Sequence, residues 1–408
     1  MTDYFKMFVG SNTNRLLSPE SIRTIEGWVR VPNMGSPSNT AESQRIRNLD
    51  ELDVIVDTDA HIRETIDDLL PYIDDQYEGA KWIVERTEHP ERDIYSLTHS
   101  LPPSLHAERG GWSADTNTVD KKLNELDEFN IDYGIVDPGL NLVLPTVNNE
   151  RIAVALTKAY NNWLLDNFLD EGNHRLKANL LVSHHRPEMM AEEIDRMAGE
   201  KDIVGVAFPS TGVIPPAGHD RYDPIYQAAE DNGLPVFFHG ASTNTSHVFP
   251  LQRMYNQTYT EDHVIIHPFS QMWNLSSLIF QGAPERFPDL DFVFQESGVG
   301  WIPYLMWRMD DHYLEMNYEL PLLEKMPSEY IHDQIYFTTQ PLGHTEDNPR
   351  HLAMAIEMAG PNNIMYSSDL PHSDFDPPSE LFNRIRGHFD RETVENIMGE
   401  TARELLDL

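Results

Sequence analysis

Acids and imidazoles follow several short apolar runs in this chain of 408 residues. They are Asp59, His61, His239, Glu296 and Asp369. Short apolar runs of this kind are typical of buried parallel strands. Carboxylates and imidazoles are common metal ligands, and a β/α barrel builds its active site at the C-terminal ends of its strands. The pattern therefore predicts one metal ion in the mouth of a barrel.

Each of these signals also has a plain structural interpretation. Residues two apart on an extended chain face the same side, so Asp59 and His61 can hold one ion, but an Asp-x-His pair alone is a weak signal. His239 could be a hydrogen-bonded core histidine, and Asp369 could cap a helix or a turn. Their joint placement after predicted strands one, five and eight favours a shared ion.

Strands and helices alternate from residue 53 onwards, which predicts an α/β fold. Eight strands alternating with helices predict a closed (β/α)8 TIM-like barrel, with an open doubly wound sheet as the alternative. The predicted helices include 188–198, 222–232, 349–359 and 391–406. The predicted strands are 53–58, 132–137, 177–183, 203–208, 235–239, 291–296, 335–339 and 363–368.

Two segments do not follow the alternation. Residues 1–52 lack a hydrophobic period and predict an irregular N-terminal extension, which leaves 53–408 for the barrel. The connections 60–131 and 240–290 are long, follow strands one and five, and predict a lid over the mouth. They carry Trp82, Tyr95, His99, His106, Trp112, His247, Tyr255, Tyr259, His263, His267, Phe269 and Trp273. Most are expected to pack within the lid, and His267, just before Pro268, is the exception expected to contact substrate.

Composition limits the partners and the compartment. The net charge of −37 disfavours nucleic acid and anionic membranes as partners. The sequence has no cysteine, which excludes thiolate metal sites and disulfides. We identify no apolar run of about 18 residues, so no membrane span is expected. We also identify no secretory signal, and we therefore expect a cytoplasmic location.

The charged residues also indicate adaptation to concentrated salt. At about 1 M salt the screening length falls to about 3 Å, which mutes the self-repulsion of an acidic surface. An ordinary acidic enzyme is the alternative. Lysine is scarce and occurs only as Lys6, Lys81, Lys121, Lys122, Lys158, Lys177, Lys201 and Lys325.

Five stretches of the sequence together form a recognisable set of motifs. They are Asp57-Thr58-Asp59-Ala60-His61-Ile62-Arg63-Glu64, Leu234-Pro235-Val236-Phe237-Phe238-His239-Gly240, Glu285-Arg286-Phe287-Pro288-Asp289-Leu290, Glu296-Ser297-Gly298-Val299-Gly300-Trp301-Ile302-Pro303-Tyr304 and Ser368-Asp369-Leu370-Pro371-His372. In this order they resemble the amidohydrolase superfamily, in the amidohydrolase-related branch that includes aminocarboxymuconate semialdehyde decarboxylase and the resorcylate decarboxylases. The resemblance covers about residues 53–408.

The resemblance implies a barrel with one divalent ion held by Asp59, His61, His239 and Asp369. Zinc is favoured for this mixed donor set, with manganese or iron as alternatives. Dinuclear relatives bridge two ions with a lysine on strand four, and the run 203–210 contains none. The chain therefore resembles the mononuclear members.

Two activities fit the implied site. A metal-dependent hydrolase would use Asp369 as general base for a metal-activated water that attacks a carbonyl-type bond. The alternative is non-oxidative decarboxylation of an aromatic or muconate-like carboxylic acid, and an inactive scaffold is a third, non-enzymatic hypothesis. Glu296 stands where the decarboxylases have a catalytic histidine, so it is interpreted as an acid, a base or an orienting group.

The expected partner is a small-molecule substrate. Its candidate contacts are Arg63, His267, Trp301 and His372, although a salt-bridging or turn-packing role is favoured somewhat over substrate contact for Arg63 and His372. A homo-oligomer, specifically a dimer, is expected from the family resemblance alone.

Overall fold

A computed structural model of the chain describes residues 46–87, 118–169, 173–241, 259–372 and 374–408, with the side chains of residues 259 and 262 left aside. Most of the predicted N-terminal extension lies outside these ranges. Its described end, from residue 46, contains the short 3-10 helix Leu49–Glu51. The division of the chain at residue 52 stays a prediction.

Eight parallel strands form a single sheet whose neighbours follow the chain order from β1 to β8. This order has no switch point, so the closed barrel is confirmed and the doubly wound sheet is wrong. The strands are β1 Val56–Ile62, β2 Tyr133–Pro138, β3 Leu176–Leu181, β4 Ile203–Pro209, β5 Val236–His239, β6 Phe292–Phe294, β7 Ile335–Thr338 and β8 Ile364–Met365.

Backbone hydrogen bonds between the first and last strand regions close the barrel. The amide of Thr58 donates to the carbonyl of Tyr366 at 3.2 Å, and that of His61 donates to Leu370 at 2.9 Å. In the other direction the amide of Asp369 donates to the carbonyl of Asp59 at 3.0 Å. We call these three bonds the β1–β8 seam. The seam runs through residues that were predicted to bind the metal.

Helices cover the outside of the strands, as the alternating pattern predicts. Two further segments, Leu165–Leu169 and Asn396–Glu400, are π-helical turns. The α-helices are α1 Ile66–Leu69, α2 Glu78–Arg86, α3 Val119–Phe129, α4 Glu150–Leu164, α5 Pro187–Met197, α6 Asp223–Asp231, α7 Tyr259–Phe280, α8 Ala283–Arg286, α9 Ile302–Met316, α10 Pro327–Gln334, α11 Pro349–Ala359, α12 Pro378–Ile385, α13 Arg391–Glu395 and α14 Thr401–Leu405.

The ends of α11 show how the local sequence sets a helix boundary. Pro349 occupies the first turn, where its missing N–H leaves no helical hydrogen bond unmade. Gly360 ends the helix with φ of 101°, a conformation that residues with a Cβ rarely adopt. The bounds agree with the predicted helix 349–359. The predicted helix 391–406 is instead divided into α13 and α14 by the π-helical turn.

β1 differs from its predicted range because its pairing continues further. The register against β2 shifts between Asp57 and Ala60, which is a β-bulge, and pairing then resumes through His61 and Ile62. Bulges commonly re-aim side chains beside active sites. Asp59 and His61 therefore lie within the strand rather than after it.

A small apolar cluster packs separately from the main core. Its strand members come from β1, β2, β4, β5, β6 and β8, namely Val56, Ile135, Val204, Phe237, Val293 and Met365. Asp137 lies two residues after Ile135 in β2, and His239 lies two residues after Phe237 in β5. Residues two apart in a strand share a face, so these polar side chains lie above the apolar ones. The polar site is thus built above an apolar base.

The two long connections are only partly described. The first contains α1, α2 and α3, and the second contains α7 and α8. Trp82, Phe269 and Trp273 are exposed, whereas His267 is buried. Tyr95, His99, His106, Trp112, His247, Tyr255 and the side chain of Tyr259 lie outside the described residues. Across the described ranges, every helix is too short or too polar to cross a bilayer.

Candidate metal centre

Three strand ends bring four predicted ligands together. Asp59 and His61 lie at the end of β1, His239 is the last residue of β5, and Asp369 follows β8. The Nε2 atom of His239 is 3.1 Å from Oδ1 of Asp59. Nε2 of His61 is 3.3 Å from the same oxygen and 3.4 Å from Oδ1 of Asp369. All four side chains are buried.

Hydrogen bonds on the far side of each imidazole orient these rings. Nδ1 of His61 lies 3.1 Å from the carbonyl oxygen of Pro138, and Nδ1 of His239 lies 2.7 Å from that of Gly240. A carbonyl can only accept, so Nδ1 of each ring carries a hydrogen, and Nε2 is the ring nitrogen left to bind a metal ion. This arrangement is one of the two by which histidines bind metal ions.

Two ligand atoms at this point are unsatisfied. Oδ2 of Asp59 and Nε2 of His61 are buried and have no hydrogen-bond partner among the described residues. Buried polar atoms are normally paired, and unpaired ones call for an explanation. The ligand atoms of Asp59, His61 and His239 lie within 4.8 Å of one another, and those of Asp369, His61 and His372 form a second group of this kind. Because the two groups share His61, this cluster of imidazoles and carboxylates fits a divalent cation with a coordination position left open.

The charges of the cluster are unbalanced without a cation. Burial, reinforced by the carboxylate of Asp59, raises the pKa of Asp369 well above its usual range. Burial lowers the pKa of His61, as do the neighbouring imidazoles of His372 and His239. Burial opposes protonation of His239, but Asp59 and Glu296 outweigh it and raise the pKa of His239 to about 10. A bound divalent ion favours deprotonated ligands, so it would reverse the pKa shifts of Asp369 and His239 and would reinforce that of His61.

Two carboxylates of the site have an unusual backbone conformation. Glu296, two residues beyond β6, has φ of 50°, and Asp369 has φ of 62°. Positive φ is rare outside glycine, asparagine and aspartate, and it concentrates at functional sites. Oε2 of Glu296 lies 3.5 Å from Nδ1 of His239, and Oε1 lies 3.6 Å from Nε2 of His267. Glu296 thus connects β5 with α7.

Two further side chains hold the carboxylate of Asp369. Nδ1 of His372 contacts Oδ1, and Nε2 of Gln340 donates to Oδ2 at 3.1 Å. The ring of His372 is also 4.6 Å from that of His61. Gln340 is absent from the sequence-based predictions. A signal was available, because Gln340 follows β7 as a polar residue after an apolar run.

A buried polar layer supports the ligands from β1 and β8. Asp57 accepts hydrogen bonds from the backbone amide of Ser368 at 2.8 Å and from its hydroxyl at 2.5 Å. It also accepts from the amide of Asp59 at 3.2 Å. Burial raises the pKa of Asp57 to about 7. Asp57 thereby ties together the two strand ends that carry three of the four ligands.

Lys122 is the second residue that the sequence analysis did not single out. It lies in the first turn of α3 and is fully buried, with Nζ 3.4 Å from the carbonyl oxygen of Leu370 and 2.9 Å from Glu125. The same carbonyl accepts the amide of His61 in the β1–β8 seam. Nothing in its sequence neighbourhood marks this lysine as different from Lys121.

The other predicted substrate contacts lie in different settings. Arg63 directly follows β1 and is half-buried. Trp301 precedes α9 and packs in the core, 5.7 Å from the ring of Phe337, with its indole Nε1 buried and unpaired among the described residues. His267 and His372 contact the acids of the centre. Substrate contacts for these residues stay predictions.

Several solved structures have the same fold. An amidohydrolase from Mycobacterium avium subsp. paratuberculosis K-10 is 19% identical with a TM-score of 0.66, over 87% of this chain and 98% of that chain. The 5-carboxyvanillate decarboxylase from Sphingomonas paucimobilis is 19% identical with a TM-score of 0.65, over 87% and 99%. The 2,6-dihydroxybenzoate decarboxylase from Rhizobium is 16% identical with a TM-score of 0.60, over 87% and 98%.

At the level of sequence, no curated protein matches the chain. The family model described as Amidohydrolase matches residues 56–408, from the start of β1 to the last residue. This span contains all four predicted ligands and agrees with the resemblance inferred for residues 53–408. The chain therefore belongs to the amidohydrolase family, as its motifs predict, and the expectation of an enzyme of this family is confirmed.

Proposed function

We propose that this protein is a metal-dependent, non-oxidative decarboxylase of a hydroxylated aromatic carboxylic acid. The observation that carries the proposal is the buried cluster of Asp59, His61, His239 and Asp369 at the barrel mouth. Two polar atoms of this cluster have no hydrogen-bond partner among the described residues. A muconate-like acid is the second substrate class. Decarboxylation was the alternative prediction from the sequence, and we now favour it over hydrolysis, which was the first.

The four residues would hold one divalent ion. When bound, the ion would supply positive charge that binds a substrate carboxylate together with an adjacent oxygen. Zinc was favoured from the sequence, but several fold relatives are described with bound manganese. Two carboxylates among the four ligands also suit a harder ion. We therefore place manganese beside zinc, and metal analysis of the purified protein decides between them.

Decarboxylation requires one proton for each carboxylate lost. The bond between the ring carbon and the carboxylate breaks, its electron pair stays on the ring carbon, and carbon dioxide leaves. We assign the proton that replaces it to Asp369, whose oxygens are held by His372 and Gln340 beside His61. Asp369 then takes up a proton from solvent, which restores the starting state.

The fold relatives support this choice. Two of the three relatives described above are decarboxylases of substituted benzoates. Their identity to this chain is below one fifth, so they support a chemistry and leave the substrate open. We assign Glu296 the role of orienting His239, which it contacts, and not a role in proton transfer.

Hydrolysis is the second candidate function. It is favoured by the open coordination position and by Asp369, whose Oδ1 lies 3.4 Å from Nε2 of His61 and could accept a proton from a bound water. In that case Asp369 would act as a base and would have to be ionised before each turnover. The two candidates thus require opposite protonation states of one residue.

One experiment separates the two functions. The protein, reconstituted with Mn²⁺ or Zn²⁺, is incubated with 5-carboxyvanillate, 2,6-dihydroxybenzoate and related hydroxybenzoates, and with a matched panel of amides and lactones. We expect stoichiometric release of carbon dioxide and uptake of one proton per product from a hydroxybenzoate. Cleavage of an amide or lactone without carbon dioxide release would contradict decarboxylation.

The oligomeric state, the partner and the cellular location are proposed from the family resemblance, the chemistry and the composition. We keep the dimer as a proposal, to be tested by light scattering of the purified protein. The small-molecule substrate follows from the proposed chemistry, whereas the cytoplasmic location and the salt-adapted origin are proposals from composition alone.

A further inference from the structure

Two histidines one turn apart on α7 form a second group of possible ligands. His263 and His267 are four residues apart in this helix, which places them on one face. Their ring centroids are 5.1 Å apart. Pairs of histidines at this spacing on a helix are a recurring zinc-binding arrangement, in which a carboxylate supplies the third ligand.

Glu296 supplies a carboxylate at the right place. Its Oε1 lies 3.6 Å from Nε2 of His267, while its Oε2 faces His239 of the first site. Glu296 is only 6% exposed, and its ion-pair partners among the described residues are imidazoles rather than lysine or arginine. A buried carboxylate that lacks a permanent cation is stabilised by a metal ion.

The surroundings of His267 leave room for the ring and little else. A Cβ on Gly240 would approach Cδ2 of His267 to 2.9 Å, so the glycine after His239 allows the imidazole to pack against the end of β5. Oδ2 of Asp374 lies 3.9 Å from Nε2 of His263 and offers an oxygen on the solvent side. His267 is therefore buried against the end of β5, whereas His263 lies beside the more exposed Asp374.

We propose that His263, His267 and Glu296 bind a second divalent cation of the zinc type, beside the first site. One ligand atom from each of the three residues lies within 4.8 Å of the others. Ligands of a tetrahedral zinc ion at about 2.1 Å lie about 3.4 Å apart, so closure requires a movement of about 1 Å. This site uses no bridging lysine, whose absence from β4 therefore does not exclude it.

The second ion would fix the conformation of Glu296. One carboxylate oxygen would bind the ion and the other would stay beside Nδ1 of His239, so the two sites would share one side chain. The positive φ of Glu296 places its side chain between β5 and α7 in this way. The proposal goes beyond the decarboxylase function, which needs the first ion only.

Metal titration of the whole protein tests the proposal. Metal-free protein is titrated with Zn²⁺ by calorimetry and with Co²⁺ by visible absorption, which reports histidine coordination. We expect two equivalents for the unmodified protein and one for His263→Ala, which removes a ligand of the second site alone. His351→Ala, which changes an exposed histidine on α11, is the matched control and should keep two.

The outcomes distinguish this site from the first. His239→Ala should lose the other equivalent, and His263→Gln, with its polar side chain, serves as a second variant if His263→Ala unfolds. A single equivalent in the unmodified protein, or two equivalents in a folded His263 variant, would overturn the proposal. Neither result depends on turnover, so the decarboxylase function is tested separately.

Discussion

Asp369 is the residue on which both candidate activities depend. Asp369→Asn keeps an oxygen for Gln340 and tolerates φ of 62°, but it removes the group that carries the proton. We expect turnover to fall by about a thousandfold, within the usual range for loss of a general acid or base. Steady-state kinetics with saturating metal measures this loss.

The control for this prediction is Asp347→Asn, which changes an exposed aspartate that pairs with His344. Its turnover should equal that of the unmodified protein. Circular dichroism and metal analysis of both variants check that fold and loading are kept. Retained turnover in Asp369→Asn would remove this residue from its assigned role.

His239 should govern metal occupancy. Its Nε2 faces Asp59, and its Nδ1 is held by the carbonyl of Gly240, so the ring is oriented with Nε2 towards the predicted metal site. We expect His239→Ala to purify with about one equivalent of metal per chain less than the unmodified protein. His219→Ala, which changes a partly exposed histidine beside Asp220, is the control. Equal occupancy in the two variants would argue against ligation by His239.

Single residues were predictable where they follow an apolar run. Asp59, His61, His239 and Asp369 could be found because strand ends are readable in the sequence and parallel strands end at one edge. Gln340 obeys the same rule but is a less obvious ligand type. Lys122 was not predictable, since its burial depends on how α3 packs against the chain beyond β8, a contact between residues 248 positions apart.

At the scale of elements, types were predicted better than ends. All eight strands occur close to their predicted ranges, because buried apolar runs bounded by polar turns are unambiguous when they recur. The β-bulge in β1 and the π-helical turn between α13 and α14 were missed. Both insert one residue into a regular pattern, and this is decided by tertiary packing rather than by hydrophobic period.

Lys122 anchors α3 to the β1–β8 seam. Lys122→Met keeps the apolar stem but leaves the carbonyl of Leu370 and the carboxylate of Glu125 without the buried ammonium. Removing one partner of a buried charged pair costs about 3 kcal/mol in free energy of unfolding. Urea denaturation of the metal-loaded protein measures the difference.

Lys121→Met is a matched control for Lys122→Met, because it removes the same charge one residue earlier. Lys121 is partly exposed, and its Nζ is as far as 4.0 Å from Glu125. The loss of this weak ion pair should lower the free energy of unfolding by about 1 kcal/mol or less. Equal losses in the two variants would mean that net charge, and not the contact with Leu370, sets the effect. Lys122→Arg should recover part of the stability.

At the scale of the whole molecule, the net charge of −37 should make stability depend on salt. Screening shortens from about 8 Å in 0.15 M salt to about 3 Å in 1 M salt, which weakens repulsion in the folded state. We expect the melting temperature to rise by several degrees between 0.1 and 2 M KCl. Differential scanning calorimetry at fixed metal concentration checks this.

Sucrose at matched osmolality controls for solute exclusion, which stabilises proteins without screening charge. A rise in KCl that clearly exceeds the rise in sucrose would support the salt-adapted origin. A melting temperature that stays constant or falls with KCl would contradict it. The barrel itself was predictable from the order of its elements, whereas this property of the surface follows only from the composition.

The three hydrogen bonds between β1 and the chain after β8 have a consequence for apo protein. Asp59, His61 and Asp369 contribute backbone atoms to the closure. Because their side chains also belong to the proposed cation site, we expect ion binding and barrel closure to be coupled. Stripping the ion should therefore deprotect the amide protons of residues 58, 61 and 369 before those of β3 and β4. Deuterium uptake in the metal-free protein would then begin at the β1–β8 seam and spread from there to the neighbouring strands.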